Sequence, residues 1–440
     1  MEGLQSSEAT RDALLSAIAL HKSGRLEEAE AAYVRVLQAE SNNPDALHYL
    51  GLVLHQRGQS HRGADLVSRA IDIVPNYVDA LNNLGNIYQE CGGVEHAVKL
   101  YERALALRPD YADASRNLAS ALRKLKRFEE SVAAYQRAIA QEPGNTALLL
   151  NLAKAYKEMA RPDDALATVR KALALKPDPE AFDFLAELLY VLGRTDELAA
   201  TYEAWHRAHP ESAMAKHMLA ACQAKEAPAR ADDAYVIELF DGFADTFDEV
   251  LTRLDYHAPA LVGAALRRTA GEPRGELDIV DAGCGTGLLA PYLRPYARQL
   301  VGVDLSPKML EKAAQRALYD RTAAADLVSF LRSCASAFDV VASSDTLVYF
   351  GDLSAAFAAA QASLRSSGYL IFTLEHSGDS DAEPPYRIHP HGRYSHKESY
   401  VRKTLAEAGF DLISVDEATL RKEYAAQVHG LVVVARRRPC

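Results

Sequence analysis

A small residue directly after a leucine recurs along the first half of the chain at Gly51, Gly85, Ala119, Ala153, Ala186 and Ala220, in steps of 34, 34, 34, 33 and 34, with Ala17 one step earlier. A fixed period of that length leaves few folds open. Each copy is a helical unit too small to bury its own apolar face, so the copies must stack as a solenoid. In "DALNNLGNIYQECGGVEHAVKLYERALALRP" the apolar residues fall three and four apart in two runs, which predicts two amphipathic helices. The small residues sit where helices cross closely, and Pro75, Pro109, Pro143, Pro177 and Pro210 end the second helix of successive copies. Six copies span about residues 10 to 212. The first carries Ser41 in the proline slot with Pro44 three residues on, and the sixth carries Leu198 and Trp205 where other copies are small. Residues 213–225, "AMAKHMLAACQAK", are expected to form the solvating cap helix.

Leu84, Gly85, Tyr88, Ala97, Tyr101, Ala104 and Pro109 of the best copy resemble the tetratricopeptide repeat family. Asn83, Asn117 and Asn151 stand one per copy just before the recurring leucine. In the repeat domain of the nucleocytoplasmic O-linked N-acetylglucosamine transferases a similar asparagine ladder grips an extended peptide, and an amide both donates to and accepts from a peptide unit. The resemblance implies a peptide groove. The alternative is that asparagine is simply frequent at this slot; Tyr49, Phe184 and Met218 break the ladder.

The second half changes character at "LDIVDAGCGTGLLAPYL", an apolar strand ending in an acid, followed by a glycine-rich turn that opens a helix. Gly283, Gly285 and Gly287 allow a ligand close to the backbone. Alone this turn suits any Rossmann-type nucleotide site. With Asp281 before it and "QLVGVDLSPKMLEKA" after it, it resembles the class I S-adenosylmethionine-dependent methyltransferases. That resemblance implies S-adenosylmethionine as cofactor. Asp281 and the loop Gly283, Cys284, Gly285 and Gly287 would hold its methionine part, and Asp304 its ribose. Leu305, Ser306 and Met309 would line the nucleoside, Asp326 and Leu327 the adenine, and Ser344 and Asp345, with Thr346 and Leu347, the sulfonium side. It also implies a seven-stranded doubly wound α/β sheet with the ligand at the carboxyl ends of the strands.

Between the halves lies "AYVIELFDGFADTFDEVLTRLDY", in which Val236, Phe240, Phe243, Phe247, Val250, Leu251 and Leu254 recur at helical spacing, with an interruption expected at Gly242. Asp241, Asp245 and Asp248 form a parallel acidic stripe. The stretch resembles the lid of several class I methyltransferases, with Phe247 and Asp248 over the cofactor. Rings that merely pack on the sheet, with aspartates facing water, are the other reading. The organisation expected is thus a repeat array over 10–225, a helical lid or linker over 230–258 and a methyltransferase domain over 259–440.

For the methyl acceptor, the loop "EHSGDSDAEPPYRIHPHGRYSHKESY" after the fifth strand concentrates His389, His391, His396 and Tyr394 as candidate proton acceptors. Arg387 and Arg393 are suited to an anionic group, with Tyr349 and Glu375 beside them as acceptor-binding residues and Tyr386 nearby. No metal is expected, since no acidic ligand accompanies the histidines. After the fourth strand "SSDT" replaces the N/D-P-P-Y/F of exocyclic amino methylation, and neither Cys284 nor Cys334 stands where a cytosine-attacking thiol would.

A net charge of -11 spread over both halves argues against a nucleic-acid partner. Five cysteines without C-x-x-C spacing, and no long apolar run, argue for a cytoplasmic protein without a membrane partner. The expected function is a methyltransferase whose repeats recruit a protein or peptide. Alternatives are a small-molecule methyltransferase with repeats that dimerise or scaffold, and an adaptor with a vestigial cofactor domain.

Overall fold

The computed structural model describes residues 8–223, 227–378, 384–423 and 426–439. Cys440, the first residues of the amino terminus and the last two positions of the expected cap helix lie outside the described residues. Contacts group the chain into two compact units, one up to Leu185 and one from Ala186 onward.

In the first unit, helices α1 (Glu8–Lys22), α2 (Leu26–Ala39), α3 (Pro44–Gln56), α4 (Ser60–Ile73), α5 (Val78–Glu90), α6 (Val94–Leu107), α7 (Ala112–Lys124), α8 (Phe128–Gln141), α9 (Thr146–Glu158) and α10 (Pro162–Leu175) form five successive pairs. The unit boundary falls within α11 (Pro179–Val191), and α12 (Thr195–Ala208) and α13 (Ala213–Gln223) follow in the chain. The period is physical: a Cβ on Gly85 would meet the Tyr101 ring at 2.5 Å, and one on Gly51 would meet the Gly63 carbonyl oxygen at 2.6 Å. Tyr33, Tyr101 and Tyr135 fill the crossings and are fully buried. The irregular start of the second copy is a cap, with the Asn43 side chain accepting from the Ala46 amide and Pro44 at the first helical position.

The asparagines turn partly inward. Asn117 Nδ2 donates to Asn82 Oδ1 at 3.0 Å and to Asn86 Oδ1 at 2.9 Å, and Asn83 Nδ2 meets His48 Nε2 at 3.0 Å. At these two positions the amide donors link adjacent repeats, which uses the hydrogen-bonding capacity that the peptide reading assigns to a ligand.

In the second unit α14 (Asp233–Phe243), α15 (Phe247–Arg253) and α16 (Ala258–Ala270) lead into a mixed sheet. Its strands are β1 (Leu277–Ala282), β2 (Ala297–Asp304), β3 (Arg321–Ala324), β4 (Phe338–Ser343), β5 (Leu364–His376), β6 (Tyr386–Ile388), β7 (Tyr394–His396), β8 (Phe410–Glu423) and β9 (Ala426–Arg437). Helices α17 (Ala290–Leu293), α18 (Pro307–Gln315), α19 (Leu327–Ser333), α20 (Ser354–Ser363) and α21 (Glu398–Glu407) connect them. β3, β2, β1, β4 and β5 are parallel neighbours in that order, and β9 and β8 complete the sheet antiparallel. These are the seven strands of the doubly wound fold, with apolar layers on both faces.

Two strands are additional. The loop after β5 folds back as the hairpin β6–β7, and β7 pairs in parallel with the end of β5 through Glu375↔Ser395 and His376↔His396. β4 stops at Ser343 and leaves that edge of β5 open. The lid segment breaks at residues 244–246, after Phe243; Gly242 stays inside α14, so the interruption falls slightly later than the glycine suggested.

Candidate active site

A cavity of about 310 Å³ opens at the carboxyl ends of β1, β2 and β4 under α14 and α15. The strand order reverses at β1 and β4, where an open α/β sheet leaves its crevice. Gly283 and Gly285 line it, both with positive φ. A Cβ on Gly283 would strike Thr346 Oγ1 at 2.0 Å, so the turn admits only glycine there. At Gly285 the nearest atom to such a Cβ would be on the Phe247 ring, 3.9 Å away.

Asp304, at the end of β2, accepts from the Gly285 amide at 2.8 Å and from the Ser306 amide at 2.9 Å. Burial raises its pKa against these amides. Its oxygens keep lone pairs for a pair of hydroxyls, and Leu305, Asp326 and Leu327 line the adjoining wall. Asp326 also caps α19 through the Ser329 amide and pairs with Arg230 at 2.5 Å, so both of its oxygens already accept. Ser306 caps α18 by accepting from the Met309 amide at 3.1 Å; Met309 is fully buried.

Asp281, expected on the methionine part, is fully buried and is not among the cavity-lining residues. Tyr319 donates to its Oδ2 at 2.6 Å, while Oδ1 is buried without a partner. Burial lifts its pKa to about 7, and the neighbouring Asp304 adds to the rise while the Tyr319 hydrogen bond opposes it. Cys284 is buried with its thiol pKa pushed up, so it shapes the loop without presenting a thiolate. Gly287 supplies a positive φ packed near Tyr319 and Arg316.

The three aspartates of the acidic stripe are bonded. Asp241 accepts from Ser306 Oγ, Asp245 pairs with Lys312 at 2.8 Å, and Asp248 accepts from Thr286 Oγ1 at 2.6 Å and pairs with Arg316. They tie α14 and α15 to the glycine turn and to α18. The expectation that Asp248 itself faces the ligand is therefore corrected: it does not line the cavity, and its two oxygens are occupied. Phe247 does line it, in edge contact with Phe240 and Phe243 at 6.0 and 5.5 Å between ring centroids.

The opposite end of the cavity is a charge network that the sequence did not reveal. Arg421, 5% exposed, donates through Nη1 to Asp345 Oδ2 at 2.5 Å, through Nε to Glu423 at 2.7 Å and through Nη2 to Glu375. Arg393 donates to Glu375 at 2.7 Å and to Glu423 at 2.6 Å. Burial opposes ionisation of Glu375, but Arg393 and Arg421 outweigh it and hold the carboxyl at about 2. Asp345 moves upward because its burial outweighs Arg421. Asp345, Arg393, Arg421, Glu423, Ser344, Tyr256 and Tyr349 line the cavity; Glu375 stands behind the arginines. Arg421 and Glu423 were findable in principle, because alternation puts both on one face of a strand.

The histidine cluster is corrected most. His396 is fully buried between Tyr386 and Tyr400, its Nε2 faces the Gly351 carbonyl at 3.1 Å, and burial lowers its pKa to about 4. Tyr394 is fully buried and donates to the Pro228 carbonyl at 2.9 Å. Both pack the hairpin, and neither lines the cavity. His391 approaches Glu375 at 3.8 Å and stacks on His389; burial, then the Arg393 charge, lower its pKa to about 3, so it is a neutral ring and a weak base. His389 Nε2 meets Ser395 Oγ at 2.7 Å and Arg387 bonds to the same ring at 3.3 Å. None of His389, His391, His396, Tyr394 or Arg387 is among the cavity-lining residues, because the hairpin turns them along its own body and sends only Arg393 inward. Its tip is held by His217 Nε2 on the Gly392 carbonyl at 2.9 Å, and a Cβ on Gly392 would meet Tyr235 Oη at 2.6 Å.

Among the described residues no cluster of three metal-ligating side chains occurs, and no helix is long and apolar enough to cross a membrane.

The family described as a methyltransferase domain matches residues 280–372, and tetratricopeptide repeat families match residues 19–58, 82–146 and 122–188. Methyltransferase-like protein 27 from Homo sapiens is 41% identical over 91 residues, 20% of this chain and 37% of that one. A malonyl-[acyl-carrier protein] O-methyltransferase from Acetivibrio thermocellus is 28% identical over 172 residues, 35% of this chain and 60% of that one. The matches thus span under two thirds of either relative. Among solved structures the chain is similar to MamA, at 24% identity and TM-score 0.35 over 37% of this chain and 94% of that one. It is also similar to pilF from Pseudomonas aeruginosa, at 16% identity and TM-score 0.41 over 48% and 97%.

Fold and site together define a class I S-adenosylmethionine-dependent methyltransferase domain in the carboxyl-terminal half. This chain joins that domain to amino-terminal tetratricopeptide repeats.

Proposed function

We propose that the chain methylates an acceptor with S-adenosylmethionine and that its repeats recruit a protein or peptide bearing or accompanying that acceptor. The observation that carries the reading is the single cavity in which Gly283, Gly285 and Asp304 stand at one end and Asp345, Tyr349, Arg393 and Arg421 at the other. The residues suit the cofactor. The open cradle beside Gly285 and the free lone pairs of Asp304 fit a ribose and its attached chain, and the unpartnered Asp281 Oδ1 leaves a buried polar atom behind the turn. Phe240, Phe247 and Tyr349 with Asp345 suit a sulfonium. When bound, the cofactor supplies an electrophilic methyl group.

The chain's own residues bind and orient. Asp304 would take hydroxyl donors, Leu305 and Leu327 would cover a flat base, and Phe247 would exclude water from above. Bringing donor and acceptor into line supplies much of the acceleration in such a transfer.

Titration calorimetry with S-adenosylmethionine tests the reading. Binding is expected and should be lost in Asp304→Ala; absence of binding in the intact chain would end it. A second reading, a small-molecule enzyme with scaffolding repeats, draws on the inward-turned amides of Asn83 and Asn117. Labelled methyl transfer in cell extract separates the two: label in macromolecules supports recruitment, label in the small-molecule fraction supports the second.

A further inference from the structure

We propose that the acceptor is an amine on an apolar stem, seated against the anionic end of the cavity that Asp345, Glu375 and Glu423 build around Arg393 and Arg421. The inference rests on the methyltransferase reading and adds the acceptor class to it.

Three acids and two guanidiniums meet at this end, so the acids outnumber the cations. Every nitrogen of Arg421 donates to a protein carboxylate, and Arg393 is shared between Glu375 and Glu423. Each acid has a guanidinium partner, and the neighbouring His391 ring is neutral, so no cation stands in excess. A carboxylate acceptor would stand beside Glu423 and Asp345 on the cavity wall, where like charges oppose it. A cationic or proton-donating head finds Glu423 and Asp345 on the cavity wall with lone pairs to spare.

The charge flow of the reaction points the same way. Transfer to a carboxylate cancels the positive charge of the sulfonium. Transfer to an amine moves it to nitrogen and keeps it. An anionic end placed where positive charge arrives favours the second course. The ammonium first loses a proton to solvent; the nitrogen lone pair then forms the N–C bond as the C–S bond breaks, the sulfur keeping that electron pair. The product is the methylated ammonium and a neutral thioether. Leu239, Phe240, Phe243, Leu251 and Leu254 line the lid side and suit an alkyl or arylalkyl stem. A free alkylamine and a lysine side chain share this chemistry.

Calorimetry on the full chain saturated with S-adenosylhomocysteine tests the proposal, with hexylamine, hexanoate, a lysine-centred pentapeptide and its norleucine counterpart as probes. At least one amine probe is expected to bind tenfold or more tighter than its partner without nitrogen charge, and Glu423→Gln to shrink that ratio at least fivefold. Preference for the lysine peptide assigns the source to a polypeptide, and preference for hexylamine to a small molecule. Hexanoate binding as well as hexylamine, or no binding by either amine probe, overturns the proposal while leaving the methyltransferase reading intact. Failure of S-adenosylhomocysteine itself to bind removes both. Should Glu423→Gln not fold, the comparison of probes on the unaltered chain still decides.

Discussion

At one end of the cavity Asp304 is held by the amides of Gly285 and Ser306, close to it in the chain or in the neighbouring turn. At the other, Arg421 is held by side chains at positions 345, 375 and 423, brought together only when β4, β5 and β8 assemble. The first end is fixed by backbone, the second by paired charges. A backbone-held carboxylate tolerates changes around it, whereas a shared network of ions fails as a unit.

The contrast breaks most visibly at Arg421→Met, which removes the charge that three acids share. Stability should fall by about 3–5 kcal/mol in chemical denaturation, the range for breaking a buried ion pair from one side. A loss below 1 kcal/mol would mean that the network is not a cooperative unit. The same network has a pH signature. Because the folded pKa of Glu375 lies below its ordinary value of 4.5, its stabilising contribution is present above that pH and is lost as pH falls toward 2.

Asp304→Ala should weaken cofactor binding at least 100-fold, about 2.7 kcal/mol by calorimetry. A smaller effect would shift the weight of nucleoside recognition away from that end. Asp281 sharpens the comparison within the turn itself. Its folded pKa of about 7 exceeds the ordinary 3.8, so its contribution to stability is complete below 3.8 and is lost as pH rises through 7. Asp281→Asn should therefore flatten the fall in unfolding free energy across that window, by up to about 1.4 kcal/mol per pH unit.

Phe247→Ala should weaken S-adenosylmethionine binding about tenfold, some 1.4 kcal/mol, while the ligand-free melting temperature moves by less than about 3 °C. The reverse pattern would make the ring a packing element only. The smallest effect is expected in the other compact unit, at Asn117→Ala. Loss of its bonds to Asn82 and Asn86 should cost the array about 1 kcal/mol and leave cofactor affinity unchanged.

The period of 34 and the glycine turn were legible because each is written locally: Gly85 must clear Tyr101, and Gly283 must clear Thr346. The Asp304 end could be read in the same way, as a strand, an acid and a cap in sequence. The charged end could not. Its members are scattered over nearly eighty positions and look like ordinary strand and loop charges until the sheet pairs them. The dense histidines drew attention for their composition, yet burial gives His396 and Tyr394 to the hairpin interior, and only Arg393 of that loop turns to the cavity.

That hairpin joins the sheet through two register pairs, on an edge of β5 that β4 leaves free. It is an appendage with a chemical fingertip. Replacing it would take Arg393 away from Glu375 and Glu423, so a change in this one loop is felt in β5 and β8 as well.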